Sequence, residues 1–242
     1  MVKNKPWGAA APGFIRRIWR AEEGWSVRRP DLAAEFRRNR TSVAIESDRI
    51  AVFTTLNNAY IKYAIICFES YRANSKEDRL DFYVFCNDAT EESIAELDRH
   101  NINLIKIDLS SKYKIPEEYP YPSECFWIFD CPAILYSLGY AYSIGVDADT
   151  YCNLPLDLSW LHKVEGIAGV DRGATARAFL KYIGQLSSLR KIFKLTNAGL
   201  NAKALNTGVL VFNNRYCYES RFADKVYRTF SHSMDNGIPR NA

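Results

Sequence analysis

Two carboxylates stand two residues apart at Asp147-Ala148-Asp149, directly after the apolar run from Tyr140 to Val146. On an extended chain residues i and i+2 project to one side, so both carboxylates address one point while Ala148 packs the other way. Hard oxygen donors at that spacing suit a divalent cation, Mg²⁺ or Mn²⁺, that keeps open positions for phosphate oxygens and neutralises charge on a departing diphosphate. By composition alone an Asp-x-Asp triplet arises about once in a few hundred positions. Its place at the end of an apolar strand gives it weight.

Two further stretches combine polar side chains with a conformational break. Thr54-Thr55-Leu56-Asn57-Asn58-Ala59-Tyr60 follows another apolar run. Amides exposed at a helix start, with small polar side chains and the ring of Tyr60, suit a nucleobase and its ribose. A plain helix cap at Asn57 or Asn58, with Tyr60 packed inward, accounts for the same residues. In Asn206-Thr207-Gly208-Val209-Leu210-Val211-Phe212 the glycine permits close backbone approach and Asn206 both donates and accepts hydrogen bonds to hydroxyls. A strand-entry turn explains that stretch too. His100, His162 and His232 lack partners at metal spacing and read as surface residues.

Positioning these stretches requires an alternation of strands and helices, and the sequence supplies it. Ile50–Leu56, Leu80–Cys86 and Ile102–Ile107 read as strands, with helices over Asn58–Tyr71 and Ala89–His100 between them. After the Pro/Tyr-rich connection Ile115–Pro122, the pattern predicts a helix over Glu124–Leu138 ended by Gly139, then the strand Tyr140–Val146. Val164–Val170, ending at Asp171, and Leu205–Phe212 read as strands on either side of a long basic, partly helical insertion over 172–203, and Tyr216–His232 as a helix. This rhythm predicts an α/β fold with a mostly parallel sheet, whose ligands bind beyond the carboxyl ends of the strands. No internal repeat divides the chain, so we expect a basic N-terminal extension over 1–45 and one catalytic domain over 46–242.

Charge and cysteine content narrow the function classes. The net charge of +4 sits in the first forty residues, where ten basic side chains face four acidic ones; the remainder carries 22 basic and 24 acidic residues. Nucleic acid is therefore not an expected partner. Six cysteines without CxxC or zinc spacing read as reduced residues, most of them in the core. No apolar stretch approaches the roughly 18 residues of a membrane span, and no signal-peptide core is visible. A cytoplasmic location is expected. Phe14, Ile15, Trp19 and Trp25 interleaved with arginines predict a basic amphipathic surface helix, suited to peripheral membrane or protein contact through residues 1–40.

Taken in order, four stretches resemble the retaining nucleotide-sugar glycosyltransferases of family 8, the glycogenin and lipopolysaccharide galactosyltransferase group with the GT-A fold. They are Thr54–Tyr60, Val146-Asp147-Ala148-Asp149-Thr150, Ile167-Ala168-Gly169-Val170-Asp171 and Leu205-Asn206-Thr207-Gly208-Val209. The resemblance covers about residues 50–215. It implies a UDP-sugar donor, a glycan, lipid-linked or protein acceptor, and transfer with retention. Thr54, Thr55, Leu56, Asn57 and Tyr60 would line the uridine; Asp147 and Asp149 would hold Mn²⁺ (or Mg²⁺); and Ala148 would offer backbone to the ribose. Asp171, Asn206, Thr207 and Gly208 would meet the donor sugar or acceptor, with Asn206 counted beside the two aspartates as catalytic.

The chain departs from that pattern twice. Where the family carries an Arg or Lys before the metal strand to contact the donor, Phe126-Trp127-Ile128-Phe129-Asp130 offers Asp130 or Trp127 instead. The family's third metal ligand, a His followed by a Lys-Pro-Trp-like segment, has no counterpart before Asn241-Ala242. Either the C-terminal portion is incomplete here, or water or the insertion over 172–203 completes the site. Two alternatives stand beside the enzyme reading: a non-catalytic nucleotide-sugar-binding or partner-docking module on the same scaffold, and a haloacid-dehalogenase-like phosphatase with Asp147 as nucleophile. The latter motif wants Thr or Val two positions after the second Asp, where this chain has Tyr151.

Overall fold

The computed structural model describes residues 17–20, 26–27, 48–76, 79–113, 122–182, 201 and 203–235. Among them, strands β1 (Arg17–Arg20), β2 (Ser26–Val27), β3 (Ile50–Thr55), β4 (Leu80–Phe85), β5 (Ile102–Asp108), β6 (Tyr142–Val146), β7 (Ile167–Thr175) and β8 (Lys203–Asn213) form one sheet. Its order is β2-β1-β5-β4-β3-β6-β8-β7. β1, β5, β4, β3 and β6 run parallel, while β8 is antiparallel to both β6 and β7, and β2 to β1. The helices are α1 (Ile61–Asn74), α2 (Glu91–Arg99), α3 (Glu124–Trp127), α4 (Cys131–Ser137), α5 (Ala176–Tyr182), α6 (Asn214–Glu219) and α7 (Phe222–Asp235).

Alternation along the strands separates two cores. Val52, Phe82, Val84, Leu104, Ile144 and Val211 pack with Ala64, Cys67, Phe68 and Tyr71 of α1 and Ile94 and Leu97 of α2. Phe53, Tyr83, Phe85, Ile105, Ile107 and Phe212 face the other side, against Trp127, Cys131, Ile134 and Leu135 of α3 and α4. Burying both faces of a sheet accounts for the nearly continuous apolar runs of its central strands. No helix of the described residues is long and apolar enough to cross a membrane.

The chain winds outward from β3 through β4 to β5, then crosses back to place β6 on the other side of β3. The winding direction reverses between β3 and β6, and such a reversal opens a crevice at the carboxyl ends of the two strands. The carboxyl end of β7 and the amino-terminal half of the antiparallel β8 reach that same edge. Thr54–Tyr60, Val146–Thr150, Leu205–Val209 and the Val170–Asp171 end of the remaining stretch therefore lie along one edge of the sheet.

The structure corrects several element boundaries. Glu124–Leu138 is two helices, because Pro132 has no N–H to offer at the start of α4. The chain instead turns through Phe129 N–H to Phe126 O at 3.3 Å and Asp130 N–H to Trp127 O at 2.9 Å. Tyr216–His232 is likewise broken, into α6 and α7, at Arg221, whose φ of 52° lies in the left-handed region. β7 starts at Ile167, after a short 3₁₀ turn over Leu161–Lys163, and runs past Asp171 to Thr175. The expected insertion thus shrinks at both ends, with α5 inside it; residues 183–200 and 202 lie outside the described residues, as do 114–121 of the Pro/Tyr-rich connection.

Of the expected N-terminal surface helix, residues 17–20 are a strand. β1 pairs with β5 in parallel register, Arg17 opposite Ile105 and Arg20 opposite Asp108, and so covers the open hydrogen-bonding edge of β5. Ser26–Val27 are likewise a strand, paired antiparallel with β1, and the other residues of that expected helix lie outside the described residues.

Candidate functional site

β8 begins pairing with β6 at Val209 opposite Val146, and one further bond, from the Asp147 N–H to the Gly208 carbonyl at 2.9 Å, carries the ladder beyond the strand end. That bond brings the carboxylate stretch and the Asn206-Thr207-Gly208 stretch together. A Cβ added to Gly208 would lie 3.2 Å from Asp147 Oδ2 and 3.3 Å from Asn206 Oδ1. Only a residue without a side chain leaves both oxygens where they are. Asn206 is exposed, and its Oδ1 accepts the Gly208 N–H at 2.9 Å, which closes the stretch into a tight turn. Thr207 is exposed beside it.

Asp149 follows on a turn. The Thr150 N–H and its hydroxyl both donate to the Asp147 carbonyl, at 3.0 and 2.8 Å. Both aspartates are exposed, with Ala148 half-buried against the core between them. Partial desolvation by the strands around it, and then the charge of Asp149, push the Asp147 carboxyl above its ordinary value. Two like charges crowded beside a cradle that a Cβ would fill fit a divalent cation. Among the described residues no group of three or more His, Cys, Asp or Glu side chains is placed to hold a metal, so the two aspartates stand as a pair.

On the neighbouring strand end, Asn57 Oδ1 accepts the Ala59 N–H at 3.1 Å, the cap the sequence allowed. Asn58 ties this loop to the next one: its N–H donates to Asp88 Oδ1 at 2.8 Å, and its Oδ1 accepts the Thr90 N–H at 3.1 Å. Tyr60 does not pack inward. Its ring is 51% exposed and meets the equally open ring of Tyr63 at 5.8 Å and 42°. The expectation that Thr54 lines a ligand needs correction, since its side chain is 1% exposed; Leu56 is likewise buried. Both offer a ligand backbone at most, while Thr55 and Asn57 are half-exposed.

Asp171 sits on β7 opposite Leu205, next to the Val170–Asn206 pair, and its Oδ1 accepts the Gly173 N–H at 2.8 Å. Asp130 is withdrawn from the edge altogether. It is 1% exposed, with Oδ1 taking Lys112 Nζ at 2.5 Å and Oδ2 the Tyr113 hydroxyl at 2.7 Å. Burial pushes its carboxyl up against the pull of Lys112 and Tyr113. Its expected donor contact is therefore corrected to an interior ion pair. Lys112 lies just after β5, too far along the chain for spacing to link the two.

Sequence reasoning also passed over several neighbours of the site. Cys125, grouped with the other cysteines, has a side chain that reaches solvent; desolvation and then the charges of Asp147 and Glu124 push its thiol up to about 11. Its place at the start of the helix before β6 was the available signal. Ser70 and Asn74, on the inner face of α1, hold the residues that follow Asp149. His100 has partners after all: its Nδ1 lies 2.9 Å from Glu69 and its Nε2 3.5 Å from Glu96. His162 is exposed, and the His232 side chain lies outside the described residues.

No family model and no curated protein sequence matches this chain. Solved structures do. The bifunctional glycosyltransferase WbbM in its apo form aligns with 81% of the chain at a TM-score of 0.56 and 15% identity. An active-site mutant of LgtC aligns with 77% of it at 0.56 and 14%. The galactosyltransferase LgtC in complex with donor and acceptor sugar analogues aligns with 78% of it at 0.52 and 14%. The aligned part spans 38% of the WbbM chain and 65% and 70% of the two LgtC chains. The fold is thereby the GT-A Rossmann-like one, a mixed and largely parallel sheet flanked by helices.

Proposed function

We propose that this chain carries the donor-binding core of a metal-dependent glycosyltransferase, which moves a sugar from a UDP-sugar to an acceptor hydroxyl with retention of configuration. One observation carries the reading: the reversal between β3 and β6 sets the Asp147/Asp149 pair beside the Asn206–Gly208 cradle, with the Tyr60 loop on the adjacent strand end. The likeness in fold to WbbM and LgtC supports it.

In this reading the exposed Tyr60 ring stacks on the uracil, and the backbone at Thr54–Leu56 with Thr55 and Asn57 frames the uridine. Asp147 and Asp149 hold Mn²⁺ or Mg²⁺, which neutralises the charge left on the diphosphate when the sugar departs. Ala148 offers backbone to the ribose. Asn206 and Thr207 orient sugar hydroxyls, Gly208 lets them approach, and Asp171 borders the acceptor side, where a glycan, a lipid-linked saccharide or a protein hydroxyl enters. A nucleotide-sugar-binding module without turnover is the second reading, favoured by the absence of a third metal-ligating side chain among the described residues.

Calorimetric titration of UDP with Mn²⁺ and with chelator, on the natural chain and on Asp149→Ala, tests the proposal. We expect binding of about 8 kcal/mol, a micromolar Kd, that requires both the metal and Asp149. Equal binding by the two proteins, or none by the natural chain, would sink it. Release of free sugar from UDP-sugars then separates enzyme from binding module.

A further inference from the structure

The two carboxylates of the proposed metal pair are held by different parts of the molecule. Asp147 is anchored to the sheet through its N–H on the Gly208 carbonyl. Among the described residues Asp149 has no such strand bond; it stands on the turn closed by Thr150, and the chain beyond that turn is fastened to α1. Cys67 Sγ lies 3.4 Å from Thr150 Oγ1. Ser70 Oγ accepts the Cys152 N–H at 2.9 Å and donates to the Cys67 carbonyl at 2.5 Å. Asn74 Nδ2 donates to the Cys152 carbonyl at 2.7 Å and to the Ser70 carbonyl at 3.0 Å, and the Asn74 carbonyl accepts the Leu156 N–H at 3.0 Å.

Residues 150, 152 and 156 thus descend along α1 in step with 67, 70 and 74, one turn of helix at a time. Ser70 is 3% exposed, and its buried hydroxyl is fully used, donating to the Cys67 carbonyl one turn back in α1 and accepting the Cys152 N–H of the strap, so it is specified rather than incidental. The same helix begins at the Tyr60 loop. Resting on the reading that Asp147 and Asp149 hold the metal, we infer that α1 is the positioning element of the pair, and that Ser70 and Asn74 set where Asp149 stands relative to Asp147. Neither touches ligand. Both act through the backbone of Cys152, three residues beyond Asp149.

A cation that demands near-ideal octahedral geometry at about 2.0–2.1 Å feels a loosened ligand more than an adaptable one does. Ser70→Ala and Asn74→Ala each remove strap bonds and leave both carboxylates in place. Mn²⁺ binding in the presence of UDP, followed by electron paramagnetic resonance, and Mg²⁺ competition against it are the readouts. We expect Mn²⁺ Kd to rise about tenfold in each variant, Mg²⁺ to lose more than Mn²⁺, and the bound-Mn²⁺ spectrum to broaden, with the melting temperature of Asn74→Ala held within a few degrees. Asn74 is only half-buried, so that variant stands even if Ser70→Ala fails to fold. Unchanged Mn²⁺ affinity in Asn74→Ala, alongside loss of binding in Asp149→Ala, overturns this inference alone. Unchanged binding in Asp149→Ala overturns the metal reading with it.

Discussion

Replacing Gly208 by alanine separates the chemistry of the site from the stability of the sheet. The new Cβ would stand 3.2 Å from Asp147 Oδ2 and 3.3 Å from Asn206 Oδ1, against an ordinary van der Waals approach of about 3.5 Å. The Asp147 oxygen must yield by about 0.3 Å and the Asn206 oxygen by about 0.2 Å, and both are pushed by the same methyl. Constellations of this kind must be held within about 0.5 Å, so simultaneous shifts of both oxygens consume most of that margin. Gly208 lies outside the left-handed region, so alanine adopts its backbone without strain and gains about 0.4–1 kcal/mol through a more restricted unfolded chain. The expected result is unchanged or slightly raised stability in urea titration, with UDP·Mn²⁺ binding weakened about tenfold, roughly 1.4 kcal/mol, by calorimetry. Gly145, two residues before Asp147, is the control. A Cβ there would meet Ile128 Cδ1 and Phe53 Cζ at 3.0 Å, inside the core, so Gly145→Ala should lose about 1–3 kcal/mol of stability. Natural-strength metal and nucleotide binding by Gly208→Ala would refute the argument that this cradle shapes the carboxylate pair.

Two further predictions concern the scaffold. Lys112→Met leaves the Asp130 carboxylate in the interior with only the Tyr113 hydroxyl, and should cost about 3 kcal/mol in urea unfolding; the double variant Lys112→Met/Asp130→Asn should recover most of that, and a single variant as stable as the parent refutes the ion pair. Burial raises the Glu69 carboxyl, but the His100 hydrogen bond and the charge of Arg72 outweigh it and hold the group below its ordinary value. A depressed acid contributes stability that is present above its unfolded pKa, near 4.3, and lost as the pH falls through the folded one. Melting temperatures taken from pH 6 down to pH 3 should therefore fall less steeply in Glu69→Gln than in the natural chain.

Much of this was legible in the residues. A strand buried on both faces must be apolar throughout, so Ile50–Thr55 and Leu80–Phe85 announced themselves within a residue of their ends, and Gly139, with φ of 96°, ended its helix as expected. Short-range hydrogen bonds were legible too: the Asn57 cap needs only residues two apart. The failures have a common cause in distance along the chain. Nothing local marks that Asp130 pairs with Lys112 eighteen residues earlier, or that residues 17–20 complete the edge of a strand at 105–108. A break such as Arg221 in the left-handed region costs about 1–2 kcal/mol locally and is decided by how the next helix packs.

The same logic explains why the carboxylate pair could be found but its support could not. Asp-x-Asp is a local pattern, and the end of an apolar strand is a local place, so the two together read from sequence. What fixes the pair is not local at all. Asp147 takes its backbone partner 61 residues later, at Gly208, and the strap beyond Asp149 is tied 78 and 82 residues earlier, at Asn74 and Ser70. Sheet order makes these separations short in space, since β3 feeds α1 on one side of β6 and β8 closes on the other. The proposed metal site would thus draw its ligands from one stretch and its geometry from two others. Substitutions far along the chain, in a helix that touches no ligand, should therefore change metal preference before they change the fold.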